Sequence, residues 1–150
     1  MNEVLYSSNS EEWSTPREFF EKLNDEFHFN LDPCATDENH VCEKYFTKQE
    51  DGISKNWGGC RVFCNPPYGN KIKLWVEKCY RESLKENTIV VMLVPARTDT
   101  RWFHDYVYNR AEIRFIKGRL KFGNSKNSAP FPSMVVVFRS AKTHEEGASR

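Results

Sequence analysis

The chain has no apolar stretch that approaches the length of a membrane span, and its longest continuous apolar run ends at Pro95. The opening residues, Met1 to Ser8, carry neither a basic start nor a long apolar core, so no secretory signal is expected there. A charge excess of one sign is also missing. Lys and Arg number 22 against 21 Asp and Glu, a net charge of +1, so no global field announces a polyanionic partner and any such contact must come from a local patch. An even cysteine count is absent as well: the five lie at 34, 42, 60, 64 and 79, which without a secretory signal points to free thiols in a reducing cytoplasm. Metal spacing is weak too. Cys60 and Cys64 would share a strand face about 13 Å apart, too far for one tetrahedral ion, so no metal is expected.

What remains is ample for one folded unit. A length of 150 residues suits a single domain, and 39% hydrophobic with 14% aromatic residues is enough for a core with rings to spare for flat ligands. One domain is expected over residues 13–140, between a flexible segment at 1–12 and a flexible tail at 141–150. Ser14-Thr15-Pro16 reads as a helix start, with a capping hydroxyl and Pro16 in the first turn. Phe19, Phe20, Leu23 and Phe27 then form an amphipathic stripe. Phe27 to Leu31 alternates like a strand that stops at Asp32-Pro33, and Tyr45-Phe46-Thr47 reads as a second short strand. Arg61 to Cys64 follows as a strand, then a helix from about Lys71 to Leu84. Thr88 to Pro95 is the strongest candidate for a central strand covered on both faces. Trp102, Phe103, Tyr106 and Val107 give a further helical stripe, and Ala111 to Ile116 and Met134 to Phe138 two more strands. Alternating strands and helices predict a doubly wound α/β fold with a mostly parallel sheet and an antiparallel last strand.

Within that pattern, Val62-Phe63-Cys64-Asn65-Pro66-Pro67-Tyr68 carries the most chemistry. Asn65-Pro66-Pro67-Tyr68 can continue neither a ladder nor a helix, because two prolines fix the backbone and remove two N–H donors. Carbonyl oxygens and the Asn65 amide are left at a strand's C-terminal end, beside the flat ring of Tyr68. Such a rim of acceptors suits a planar substrate bearing an NH2 group, as in amino-methylation of adenine, cytosine or an amide. A plain loop stop would use the same residue types, so context decides. Asp32-Pro33 and Pro95-Ala96-Arg97 also fall at strand C-termini, where open α/β sheets bind ligands, so the three segments are expected to share one crevice.

Five segments then resemble one family: Trp13-Ser14-Thr15-Pro16, Leu31-Asp32-Pro33-Cys34-Ala35, Tyr45-Phe46-Thr47 with Asp51-Gly52, Phe63 to Tyr68, and Ala129-Pro130-Phe131-Pro132-Ser133. Together, over about Trp13 to Arg139, the chain resembles the phage-type (Dam-type) DNA N6-adenine methyltransferases. The resemblance implies S-adenosyl-L-methionine as methyl donor and the exocyclic amine of a flipped adenine in double-stranded DNA as acceptor. It implies that Asn65, Pro66, Pro67 and Tyr68 are catalytic, with the Asn65 oxygen and the Pro66 carbonyl holding the amine hydrogens and Tyr68 stacking on the base. Thr15, Pro16, Asp32, Pro33, Cys34 and Asp51 are the implied cofactor residues, Asp32 meeting the ammonium of the methionine moiety. Several have plainer alternatives: a helix cap for Thr15 and Pro16, a turn for Asp32 and for Asp51. For the DNA, Phe131 is a candidate second stacking face or a loop anchor. The acid-free run Arg114, Lys117, Arg119, Lys121 and Lys126, with Arg97 and Arg101, offers phosphate contacts or a solvated basic loop. The family's wider relatives carry a glycine-rich loop where this chain has Asp-Pro-Cys-Ala. A methyltransferase for RNA bases or glutamine side chains, and a catalytically silent nucleic-acid-binding module, stay open as alternatives. If phage-encoded, the protein is expected in the host cytoplasm.

Overall fold

The computed structural model describes residues 13–123 and 127–140; the terminal segments expected to be flexible, and Lys126 of the basic run, lie outside the described residues. The first helix, α1 (Arg17–Phe27), forms because Phe20, Leu23 and Phe27 recur at helical spacing and are buried together. Pro16 occupies its N-cap and no side chain caps it, so the expected hydroxyl cap is not made. The helix stops where His28 turns left-handed at φ 52° and its N–H bonds the Asn24 carbonyl at 2.8 Å. A short 3-10 turn (Gly52–Ser54) precedes strand β1 (Arg61–Cys64), helix α2 (Ile72–Ser83) and strand β2 (Ile89–Pro95). A π-helical segment (Phe103–Val107) leads to β3 (Glu112–Phe115), and β4 (Ser133–Arg139) closes the order.

The sheet runs β1-β2-β4-β3. β1 and β2 are parallel, whereas β4 is antiparallel to both β2 and β3. By pairing the sheet is therefore mixed, but β1, β2 and β3 run in one direction and only the last strand opposes them, as the sequence led one to expect. The reason lies in the connections: α2 carries the chain across between β1 and β2, but between β3 and β4 the described residues form no crossover helix, as suits antiparallel neighbours. The strands expected at 27–31 and 45–47 reduce to parallel single bridges, Leu31 with Val62 and Asp32 with Tyr45. Side-chain amides stand where further ladder bonds would form. Asn24 Oδ1 accepts the Phe29 N–H and Asn30 Oδ1 the Arg61 N–H, both at 2.8 Å.

Both sheet faces are covered. Paired residues point to the same side, so Phe63, Val91 and Val137 share one face and Val62, Val90 and Phe138 the other. On the first face Phe20 of α1 meets Phe63 edge-on at 5.2 Å. On the second, Tyr80 of α2 meets Phe138 at 6.1 Å. Every β2 residue from Val90 to Pro95 is buried, as a doubly covered central strand requires.

Candidate active site

Where β1 ends at Cys64 the chain enters Asn65-Pro66-Pro67, and the Leu31–Val62 bridge sets Asp32 beside this exit. The two segments thus meet at the C-terminal edge of the parallel pair, around a cavity of about 310 Å³. Of the residues singled out from the sequence, Thr15, Asp32, Pro33, Cys34, Asp51, Asn65, Pro66 and Pro67 line it. Pro16, Tyr68, Phe131, Arg97, Lys117, Arg119 and Lys121 do not.

Asp32 is 5% exposed. Its carboxylate accepts the Val41 N–H at 3.0 Å and the Cys34 N–H at 3.4 Å, and no Lys or Arg among the described residues pairs with it. Burial pushes its pKa up to about 6, against the pull of the two N–H groups and of His40. The adjoining wall is the Asp51-Gly52 turn, with Asp51 left-handed at φ 60°. A Cβ on Gly52 would stand 2.0 Å from the Pro33 carbonyl oxygen, so only glycine lets the turn approach the Asp32-Pro33 segment this closely. Trp57 fastens the turn from behind, its indole N–H donating to the Gly52 carbonyl at 2.9 Å.

Asn65 is held by its amide nitrogen. Nδ2 donates to the Trp13 carbonyl and, at 2.9 Å, to Thr15 Oγ1. With two acceptors on the nitrogen side, the carboxamide has one reasonable orientation. Its oxygen Oδ1 is buried and has no hydrogen-bond partner among the described residues. An unsatisfied buried acceptor costs about 1–3 kcal/mol, which a bound N–H donor would recover.

Tyr68 is not the outward plate expected from the sequence. It is 4% exposed, its hydroxyl donates to the Leu93 carbonyl at 3.2 Å, and burial pushes its pKa up. The ring lies edge-on to Phe131 at 5.5 Å and to Phe122 at 6.2 Å. Trp13 completes the cluster, 5.2 Å from Phe131 and 5.5 Å from Phe122. The basic run divides in a similar way. Arg114 forks onto Glu26 with two bonds of 2.7 Å and also meets Glu112, so it belongs to the fold and not to a phosphate site. Arg97, Lys117, Arg119 and Lys121 are exposed, with Arg119 reaching the Ala129 carbonyl at 3.4 Å.

Sequence reasoning missed the backbone groups that complete the site. The Val41 N–H on Asp32 sits in a polar stretch with no motif. The Trp13 carbonyl belongs to a segment that drew attention only for its neighbours Thr15 and Pro16. Lys48 and Lys71 also line the cavity, and their only signal was proximity to Asp51 and to Pro67.

Residues 4–148 match the family described as DNA N-6-adenine-methyltransferase (Dam). A protein of Escherichia phage T1 named DNA N-6-adenine-methyltransferase is 36% identical over 110 residues, which cover 72% of this chain and 45% of that protein. A Haemophilus phage HP1 (strain HP1c1) protein of the same name is 30% identical over 139 residues, covering 87% of this chain and 80% of the relative. The present chain thus spans under half of the phage T1 protein and most of the phage HP1 one. The family match over nearly the whole chain and the phage HP1 relative establish that the chain belongs to the DNA N-6-adenine-methyltransferase (Dam) family.

Proposed function

We propose that this chain transfers a methyl group from S-adenosyl-L-methionine to the exocyclic amine of an adenine flipped out of double-stranded DNA, in the host cytoplasm. The observation that carries the reading is the Asn65 carboxamide: its nitrogen is fully engaged, and its buried oxygen stands without a donor at the rim of a cavity. An adenine amine is a poor nucleophile because its lone pair is delocalised into the ring. Asn65 Oδ1 and the Pro66 carbonyl would each accept one of its two N–H groups, turning the nitrogen toward tetrahedral geometry and freeing the lone pair. The prolines stiffen this ledge, so the acceptors need no reorganisation as charge develops.

The cavity's donor set fits the cofactor. Asp32 is a buried carboxylate that no Lys or Arg among the described residues pairs with, suited to the ammonium of the methionine moiety. Pro33, Cys34 and Asp51 supply the neighbouring walls, and Asp51 would accept a hydrogen bond from the cofactor's adenine amine. When bound, S-adenosylmethionine supplies a methyl group made electrophilic by its sulfonium. Thr15 sits at the same rim with its hydroxyl on Asn65, and Pro16 sets the start of α1 behind it. Arg97, Lys117, Arg119 and Lys121 are exposed and would contact phosphates, and Phe131, whose ring lies edge-on to Tyr68, would lie beside the base entry.

Incubation with methyl-labelled cofactor and unmethylated duplex DNA should give N6-methyladenine and no label on RNA or protein acceptors. Asn65→Ala should lower transfer at least about 100-fold while cofactor still binds. Cofactor binding without transfer to any DNA would refute the reading.

A further inference from the structure

The Thr15 hydroxyl touches neither the Asp32 end of the cavity nor a helix N–H. It receives the Asn65 amide nitrogen at 2.9 Å, and the Trp13 carbonyl receives the same nitrogen. The strap from Trp13 to Thr15 is itself tied down. The Gly123 N–H donates to the Ser14 carbonyl at 2.8 Å, and the Trp13 ring packs edge-on against Phe122 and Phe131. From these contacts we infer that Thr15 is a positioning residue for Asn65: with the Trp13 carbonyl it clamps the nitrogen half of the carboxamide and so presents Oδ1 as the acceptor.

A bond that served only to anchor the strap would not need this asymmetry. A structural asparagine buried at a loop closure satisfies both ends of its amide, yet among the described residues the nitrogen has two partners here and the oxygen none. With the Thr15 hydroxyl gone only the Trp13 carbonyl holds the nitrogen half, and a fraction of the amides rotate by half a turn and present Nδ2, a donor, to an amine that is also a donor. That rotamer repels the substrate, so losing the Thr15 hydroxyl removes acceptor character from a fraction of the molecules. The cofactor end of the cavity is untouched by the change, because Asp32 takes its donors from Val41 and Cys34.

The inference rests on the proposed amino-methylation, and its test separates the two. Thr15→Val keeps the shape and deletes the hydroxyl; Thr15→Ser restores it. With DNA and S-adenosylmethionine both saturating, Thr15→Val should slow single-turnover methylation about tenfold, leave the cofactor dissociation constant within about twofold, and be rescued by Thr15→Ser. A Thr15→Val protein that binds cofactor more weakly but reacts at the wild-type rate once saturated would overturn the assignment, making Thr15 a cofactor contact. An unchanged rate would overturn it too. A readout independent of catalysis is the side-chain amide resonance of Asn65, identified by its loss in Asn65→Ala. In the wild type and Thr15→Ser these protons should exchange slowly with solvent, and in Thr15→Val at least about tenfold faster. Fast exchange in the wild type refutes the clamp even if Thr15→Val fails to fold. A protein with slow exchange and no methylation of DNA keeps the clamp and sinks the proposed reaction.

Discussion

Two carboxylates, Asp32 and Glu82, are each 5% exposed, and they are treated in opposite ways. At Glu82, burial raises the pKa, but Lys85, the Trp57 N–H and Lys78 together outweigh it and hold the group below the usual carboxylate range. The contacts are close: 2.7 Å to Lys85, 3.2 Å to Lys78 and 2.6 Å to the Trp57 N–H. At Asp32, burial wins over the two backbone N–H groups and the pull of His40, because no Lys or Arg among the described residues pairs with it. Glu82 is therefore complete within the fold, joining α2 to the loop before β1. Asp32 is left with an ionised form that the protein alone does not stabilise, at the wall of an open cavity. Such a group is what the proposed contact with the cofactor's ammonium calls for.

The sharpest way to test this contrast is pH. A folded-state pKa of about 6 against the ordinary 3.8 means the folded protein binds the Asp32 proton more tightly than the unfolded chain. Stability from this group is then greatest below about pH 4 and falls as pH rises to about 6, by about 3 kcal/mol in all. Chemical denaturation at a series of pH values should show that decline as the difference between the wild type and Asp32→Asn, since carboxylates held low, such as Glu82, act in the opposite sense in both proteins. Saturating S-adenosylmethionine should flatten the wild-type slope, since its ammonium would favour the ionised form.

Next in size is the binding effect. Asp32→Asn should weaken cofactor affinity about 30-fold at pH 7.5, near 2 kcal/mol for a charge-assisted hydrogen bond, by calorimetric titration. Affinity of the wild type should also fall as pH drops below about 6. Equal affinity in Asp32→Asn would dissolve the distinction between the two carboxylates.

The smallest effect is the converse. Glu82→Gln should cost about 1–2 kcal/mol of stability at pH 7, since Lys85 is 43% exposed and water screens part of the loss. Cofactor affinity should stay at the wild-type value. A thermal melt with and without cofactor measures both, because binding to the folded state alone raises the melting point by mass action.

Short-range features were read well where local chemistry dominates. The continuous apolar run at 89–95 is the buried central strand, and the Phe20, Leu23, Phe27 spacing is a helix face. The position of Asn65-Pro66-Pro67 at a strand end followed from proline's missing N–H. The antiparallel last strand was anticipated, but its place between β2 and β3 was not legible, since strand order depends on which neighbours the packing brings together and not on the strand's own letters. Tyr68 misled for a related reason: a ring after two prolines can point outward or inward, and Leu93 offered its hydroxyl an inward partner. Arg114 looked like part of a basic patch until Glu26, far away in the chain, folded onto it.

Residue order alone thus determined which groups could accept a hydrogen bond at a rigid strand exit, because proline geometry and backbone valence act within a few bonds. Only the tertiary structure decided which half of the Asn65 amide is engaged and which carboxylate no Lys or Arg among the described residues pairs with. Both depend on Trp13, Thr15, Val41, Lys78 and Lys85 being brought to their partners by the packing of helices on both sheet faces. Burial then sets how much each missing partner costs.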